Sequence, residues 1–206
     1  MCIGRNYHAN IAEKNSGAPV ESMWFDKPMS ALITPGSPLR LEPGQDQVHH
    51  ECELGIVIGM RGKNIRREDA LKHISGYFIG IDFTNRATML MNKSSGADWC
   101  MAKGSNNFAA ASEFIHKSAV LDVKNVEIEL QCNGETRQSA NSSMMIFDVP
   151  TMIADISRYQ ELREGDLLFT GTPAGVTIVK PGDSLVCALR NGGESHEIAR
   201  LELEIV

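Results

Sequence analysis

The 206-residue sequence predicts an α+β domain in which strands predominate, built on a folded or rolled sheet with peripheral helices. Three observations carry this. From residue 125 onward, short apolar runs are separated by Asn-Gly and Gly-Asp turns, so this part reads mostly as strand and turn. The helical segments are few and do not alternate with strands as βαβ units would. The glycines at 55, 59 and 62 do not make the G-x-G-x-x-G of a dinucleotide-binding turn.

Taken in order, residues 7–16, YHANIAEKNS, predict a short helix ended by Gly17 and Pro19. SMWFDKP predicts a strand stopped at Pro28. Residues 31–47 are rich in turn formers, among them Pro35, Gly36, Pro38 and Gly44, and predict a long surface loop. Residues 50–59 predict a strand closed by Gly59 and the loop MRGKN. REDALKHISGY predicts a helix with Asp69 near its start and Ala70, Leu71 and Ile74 on one face. YFIGIDFT predicts a strand that is apolar until Asp82, and residues 86–98 a Met-rich helix ending at Gly96. NVEIELQCNGETRQS alternates around Asn-Gly and predicts a hairpin. TMIADISRYQEL predicts the last helix, and GDLLFTGTP, GDSLVCAL and HEIARLELEIV the closing strands.

The length fits one domain over residues 1–206, large enough to fold without disulfides or a structural metal. The abrupt start, MCIGRNYHAN, shows no signal-peptide architecture and leaves open a missing leading strand or a removed targeting segment. A net charge of −6 gives a nucleic-acid partner no electrostatic support. No apolar run approaches the roughly 18 residues of a membrane span. The five cysteines, Cys2, Cys52, Cys100, Cys132 and Cys187, form no C-x-x-C pair. They read as reduced thiols of a cytoplasmic or organellar interior.

The chemistry gathers in HHECELGIVIG, where Glu51 and Glu53 head an apolar run. Residues i and i+2 of a strand share a face, roughly 7 Å apart, so the two acids converge while Cys52 points away. Like charges that close need a cation between them or a proton on one. Asp82, ending another apolar strand, makes a third acid, and three such carboxylates suit a hard divalent cation. The competing reading is a solvent-facing strand end with ordinary surface acids. Lys103, in DWCMAKGSNNF, reads either as a neutralising or anion-gripping cation or as a solvated lysine before a turn. In TGTPAGV, Thr170 and Thr172 and their N–H groups could bind a carboxylate, or the segment is simply a tight turn. His49 and His50 could ligate zinc, but no further histidine stands at ligand spacing.

GRNYHANIAE, SMWFDKP, HHECELGIVIG, GIDFTNR, DWCMAKG, NGETRQ and EGDLLFTGTPAGV, in this order and spacing, resemble the fumarylacetoacetate hydrolase family over nearly the whole chain. The likeness is to its small branch of acylpyruvate hydrolases and oxaloacetate decarboxylases. The resemblance implies a mixed β-sandwich roll, a homodimer, and one Mg²⁺ or Mn²⁺ per chain held by Glu51, Glu53 and Asp82. It also implies that Arg86 contacts a substrate carboxylate, that Lys103 stands beside the metal and that Thr172 touches the substrate. The metal would chelate a small 2-oxo acid, polarise its carbonyls and stabilise the enolate left when a C–C bond breaks.

Several positions depart from that pattern. The acylpyruvase pattern places a histidine three residues before a glutamate, and the two activate water as a dyad. Glu13 keeps the glutamate, so it is the expected base, but Asn10 stands at the histidine position and cannot take a proton. His8 lies nearly opposite on a helix. Ala87 and Met89 stand where the family has an acid and a glutamine, and its next aspartate position falls on Asn106. Three functions follow: a metal-dependent 2-oxo-acid hydrolase or decarboxylase, an isomerase or hydratase of an unsaturated dioic acid, or a non-catalytic binder of metal and oxo acid.

Overall fold

Strand alternation sets the architecture, and the computed structural model describes it for residues 1–14, 17–33 and 36–206. Residues 15 and 16 of the expected first helix, and Pro35 of the expected loop, lie outside the described residues. The chain opens with β1 (Cys2–Gly4), α1 (His8–Glu13), β2 (Met23–Phe25) and β3 (Val48–His49). The long strands β4 (Cys52–Ile58) and β5 (Ile74–Asp82) follow, then β6 (Thr84–Asn85). Helices α2 (Arg86–Ser95) and α3 (Cys100–Lys103) lead to β7 (Ala109–Ala111) and β8 (Ile115–His116). The remainder supplies β9 (Val126–Cys132), β10 (Glu135–Asn141), α4 (Val149–Tyr159), β11 (Leu167–Phe169), β12 (Ser184–Asn191) and β13 (Glu197–Glu204).

Two sheets form the sandwich. One is seven-stranded, ordered β2-β1-β11-β4-β5-β7 with β8 also on β5, and it is mixed because β1 runs parallel to β11. The other is an antiparallel sheet of order β10-β9-β12-β13, while β3 and β6 pair separately. Leu54, Ile56, Ile79 and Ile81 of the first sheet share one buried cluster with Ile128, Leu130, Leu185 and Leu189 of the second. Helix α4 adds Val149, Met152, Ile153 and Ile156 at helical spacing. The domain is therefore the expected predominantly β, α+β roll with peripheral helices.

The other face of the larger sheet is different. There Phe78 packs edge-on against Phe169, centroids 5.0 Å apart, in a small cluster with Cys2 and Ala109. A Cβ on Gly55 would stand 2.1 Å from the Phe78 ring, so only glycine admits the ring at that point. The same face, further along β4 and β5, carries the acids.

Two expectations are corrected. REDALKHISGY is not an α-helix: Arg67–His73 is a 3₁₀ stretch and Ile74 already begins β5, with Leu71 exposed. Sheet pairing of Ile74 with Ile58 and Gly76 with His116 overrides the local helical pattern. The 31–47 loop is not all surface, since Ala31, Ile33 and Leu39 are buried and the Leu39 N–H donates to the Glu204 carbonyl at 2.9 Å. The Asn-Gly hairpin is present, with Asn133 and Gly134 at φ 54° and 79°.

Asp148 caps α4, its carboxylate accepting from the Thr151 N–H at 3.0 Å and from its hydroxyl at 2.6 Å. Partial burial pushes this carboxyl up, but the Thr151 hydrogen bonds and Arg67 outweigh it and hold it below its usual value. Asp148→Ala should therefore cost about 1–2 kcal/mol in urea unfolding at neutral pH. The folded-state pKa is the lowered one, so this stabilisation is complete above the ordinary value of 3.8 and fades as pH falls through the folded value. The gap between variant and parent should narrow in acid; equal stability at neutral pH would refute the cap.

Candidate metal centre

The β4–β5 ladder brings the acids together. Glu53 faces Gly80, Cys52 faces Ile81, and the Asp82 N–H donates to the Glu51 carbonyl at 2.8 Å. Alternation then turns all three carboxylates away from the core. One oxygen of each lies within 4.8 Å of the others, and Glu51, Glu53 and Asp82 are 6%, 1% and 1% exposed. They are not surface acids. At that spacing each ionised pair repels by on the order of 3 kcal/mol at an effective dielectric of about 20.

Lysines answer two of the three. Lys103, buried at the end of α3, reaches Glu51 Oε2 at 2.7 Å and Asp82 Oδ2 at 2.5 Å. Lys27 stands 2.7 Å from Asp82 Oδ1, and Lys14 stands 3.3 Å from Glu51 Oε1. Glu53 has no cation partner among the described residues; the Gly171 N–H donates to its Oε2 at 2.6 Å. The titration behaviour follows. Burial pushes Glu51 up, but Lys103 and Lys14 overcome it and hold the carboxyl at about 2. Burial and then Asp82 push Glu53 well above the usual carboxylate range. Burial pulls Lys103 down, yet Asp82 and Glu51 hold it above its ordinary value, so it stays an ammonium.

Three hard oxygen donors, one of them lacking counter-charge, fit a divalent cation of the Mg²⁺ or Mn²⁺ class. A cavity of about 150 Å³ has Glu51, Glu53, Asp82, Lys103, Arg86 and Thr172 in its wall. Asn10, Lys14 and Met89 line it as well.

The loop after β11 is held from several sides. Gly171 sits at φ +94°, and a Cβ there would be 2.6 Å from the Asn6 Cβ. Asn6 Nδ2 donates to the Thr170 carbonyl at 2.8 Å. The Thr172 hydroxyl donates to the Cys52 carbonyl and accepts from Gln138 Nε2, both at 2.8 Å. Gln138 Oε1 accepts from the Cys52 N–H at 2.9 Å and lies 3.0 Å from His50 Nδ1, while His50 Nε2 lies 2.8 Å from the Thr177 hydroxyl. His50 thus spends both ring nitrogens on a buried network, and burial holds its pKa below the ordinary value. It braces Thr172 and is not placed to ligate zinc.

Arg86 opens α2, fixed by its N–H on the Gln47 carbonyl at 2.7 Å. Its Nη1 lies 3.5 Å from the Met89 sulfur, and it pairs with no acid among the described residues. Glu13 is placed differently from the other expected residues. Its carboxylate is exposed and accepts from the Gly175 N–H at 3.2 Å, outside the cavity wall. Asn10 faces the cavity instead and donates to the Pro173 carbonyl at 3.2 Å. His8 is exposed. Lys14, Lys27, Asn6 and Gln138 were not singled out from sequence, because their partners lie tens of residues away. The one local signal was a lysine in the aromatic stretch MWFDKP.

The fumarylacetoacetate (FAA) hydrolase C-terminal family model matches residues 1–205. The chain is 38% identical over 190 residues to a mitochondrial oxaloacetate decarboxylase of Dictyostelium discoideum, covering 92% of this chain and 87% of that protein. It is 38% identical over 189 residues to a mitochondrial oxaloacetate tautomerase of Arabidopsis thaliana, covering 92% and 85%. Among solved structures, fumarylpyruvate hydrolase from Pseudomonas aeruginosa in complex with Mn²⁺ and pyruvate matches with a TM-score of 0.91 and 32% identity, over 100% of this chain and 88% of that one.

Gly171→Ala would strain a left-handed backbone and press on Asn6. It is expected to lower stability by about 1–3 kcal/mol in urea unfolding. A parental midpoint would mean that the loop shifts without cost.

Proposed function

The chain belongs to the fumarylacetoacetate hydrolase family, and we propose that it is an enzyme of small 2-oxo acids, with oxaloacetate as the favoured substrate. The observation that supports this most is the buried triad Glu51, Glu53 and Asp82 beside the Lys103 ammonium. These three residues would hold one Mg²⁺ or Mn²⁺, which when bound supplies Lewis-acid polarisation of a chelated 2-oxo acid.

The chain's own residues then do the rest. Lys103 remains cationic, so Nζ serves as a hydrogen-bond donor to the oxygen on which negative charge develops, not as a base. Arg86, free of acid partners among the described residues, is available to a substrate carboxylate. The Thr172 hydroxyl, spent on the Cys52 carbonyl and Gln138, fixes its part of the cavity wall.

Hydrolysis needs an activated water, and here the group facing the cavity from α1 is Asn10, an amide donor to Pro173, while Glu13 is turned to Gly175. Decarboxylation and enol–keto tautomerisation of oxaloacetate both develop charge on the C2 oxygen without an attacking water. That favours them over acylpyruvate cleavage. The retained acids with an altered wall at Asn10 and Met89 also support a second reading, a binder of metal and oxo acid without turnover. The mitochondrial relatives favour the mitochondrial arm of the expected localisation, and no helix among the described residues is long and apolar enough to cross a membrane.

The test is turnover of oxaloacetate and acetylpyruvate with Mn²⁺ or with a chelator, corrected for metal-catalysed decay of oxaloacetate. Expected are metal-dependent loss of oxaloacetate or of its enol absorbance and little acetylpyruvate cleavage in the parent, with cleavage rising in Asn10→His. Glu53→Gln should weaken Mn²⁺ binding at least tenfold by calorimetry, roughly as loss of a metal-supporting group does elsewhere. Equal rates with and without chelator would overturn the metal-dependent reading, and silence with retained Mn²⁺ binding would select the binder.

A further inference from the structure

Behind the acids lies a second lysine that the reaction does not touch. Lys27 Nζ donates to the carbonyls of Phe83 at 3.0 Å, Lys103 at 2.5 Å and Phe108 at 2.7 Å. An ammonium has three protons, so these three acceptors use them all. Its 2.7 Å approach to Asp82 Oδ1 is therefore a charge contact, and Asp82 Oδ1 indeed has no hydrogen-bond partner among the described residues. The side chain is 5% exposed and lines a different cavity, together with Cys2 and Phe169, from the one that holds the acids. Substrate cannot reach it.

The three carbonyls belong to three separate segments: the residue after β5, the end of α3 and the residue before β7. We infer that Lys27 is the positioning residue of the centre, locking one oxygen of Asp82 from behind and tethering Lys103 by its main chain. Asp82 then offers the cavity its other oxygen, Oδ2, which is the one that Lys103 meets. A neutral residue at 27 would free the Asp82 carboxylate to rotate, and this loss of aim outweighs the removal of a positive charge that itself repels a bound cation. A hydrogen bond from residue 27 to the Asp82 oxygen is not what the role requires; a fixed positive charge is. This inference rests on the proposed metal-dependent reading of the cavity.

The experiment titrates the whole protein with Mn²⁺ by calorimetry and by the electron paramagnetic resonance of free Mn²⁺, and measures kcat and KM with oxaloacetate. It compares the parent with Lys27→Met and Lys27→Arg, each checked for folding by circular dichroism. Lys27→Met should bind Mn²⁺ about 10–100-fold more weakly. Lys27→Arg keeps the charge, but its planar fork cannot serve three carbonyls converging on one point. It should retain Mn²⁺ affinity while kcat falls at unchanged KM, because Lys103 loses its tether. Parental affinity in folded Lys27→Met, or parental kcat in Lys27→Arg, overturns the inference; should Lys27→Met fail to fold, the Lys27→Arg kcat decides. A parent that binds no Mn²⁺ overturns the proposed function along with it, whereas a parent that binds while both variants match it overturns only the role of Lys27.

Discussion

Three carboxylates under one sheet cannot all remain ionised and unpaired, and most of the surrounding structure answers that constraint. Lys103 bridges Glu51 and Asp82, Lys27 backs Asp82 and Lys14 reaches Glu51 from the end of α1. Glu53 is left with one backbone donor, Gly171, on a loop that needs glycine, and that loop is in turn held by Asn6 and Gln138. Removing any one of these supports shifts the load onto the others, since the low dielectric of the buried site magnifies each imbalance.

The sheet divides its labour by parity. Even-numbered residues of β4, Cys52, Leu54 and Ile56, go to the core between the sheets. Odd-numbered Glu51, Glu53 and Gly55 go to the other face, where the acids give way to the Phe78–Phe169 pair. A slip of one residue would bury the acids among the isoleucines, so the charged site helps fix the register as firmly as the core does. Of the departures from the family pattern, Asn10, Ala87 and Met89 lie on α1 and α2 and Asn106 in the loop between α3 and β7, all outside this ladder. The cavity wall can therefore change its chemistry while the acids stay in place.

What was legible in the sequence is what depends on near neighbours. The E-x-E of Glu51 and Glu53, the strand-ending Asp82 and the Asn133-Gly134 turn are local signals: Glu53 and Asp82 lie in the strands expected of them, Glu51 directly precedes its strand, and the turn joins β9 to β10. REDALKH misled because its helical pattern is overridden by strands from elsewhere in the chain. Lys27 was passed over because its neighbours in sequence predict only a strand, while its partners are at positions 82, 83, 103 and 108. Glu13 shows the opposite limit. Its spacing from Asn10 was readable, and both do meet the loop at 173–175, but the helix ends at Glu13 and its side chain meets a backbone N–H outside the cavity.

The parallel pairing of β1 with β11 has a consequence for the order of assembly. Cys2 lies beside Phe169, and the Met1 nitrogen donates to the Leu167 carbonyl across 166 positions of sequence. A chain emerging from the ribosome has made its acids by residue 82, but the strand that joins β1 to β4 follows only at Leu167–Phe169. Until then the edges of β1 and β4 have no partner between them, and closure across so long a loop belongs to the slow class of folding events. During that interval the nascent chain carries Glu53 without the Gly171 N–H that partners it, so this half-made centre must wait on translation.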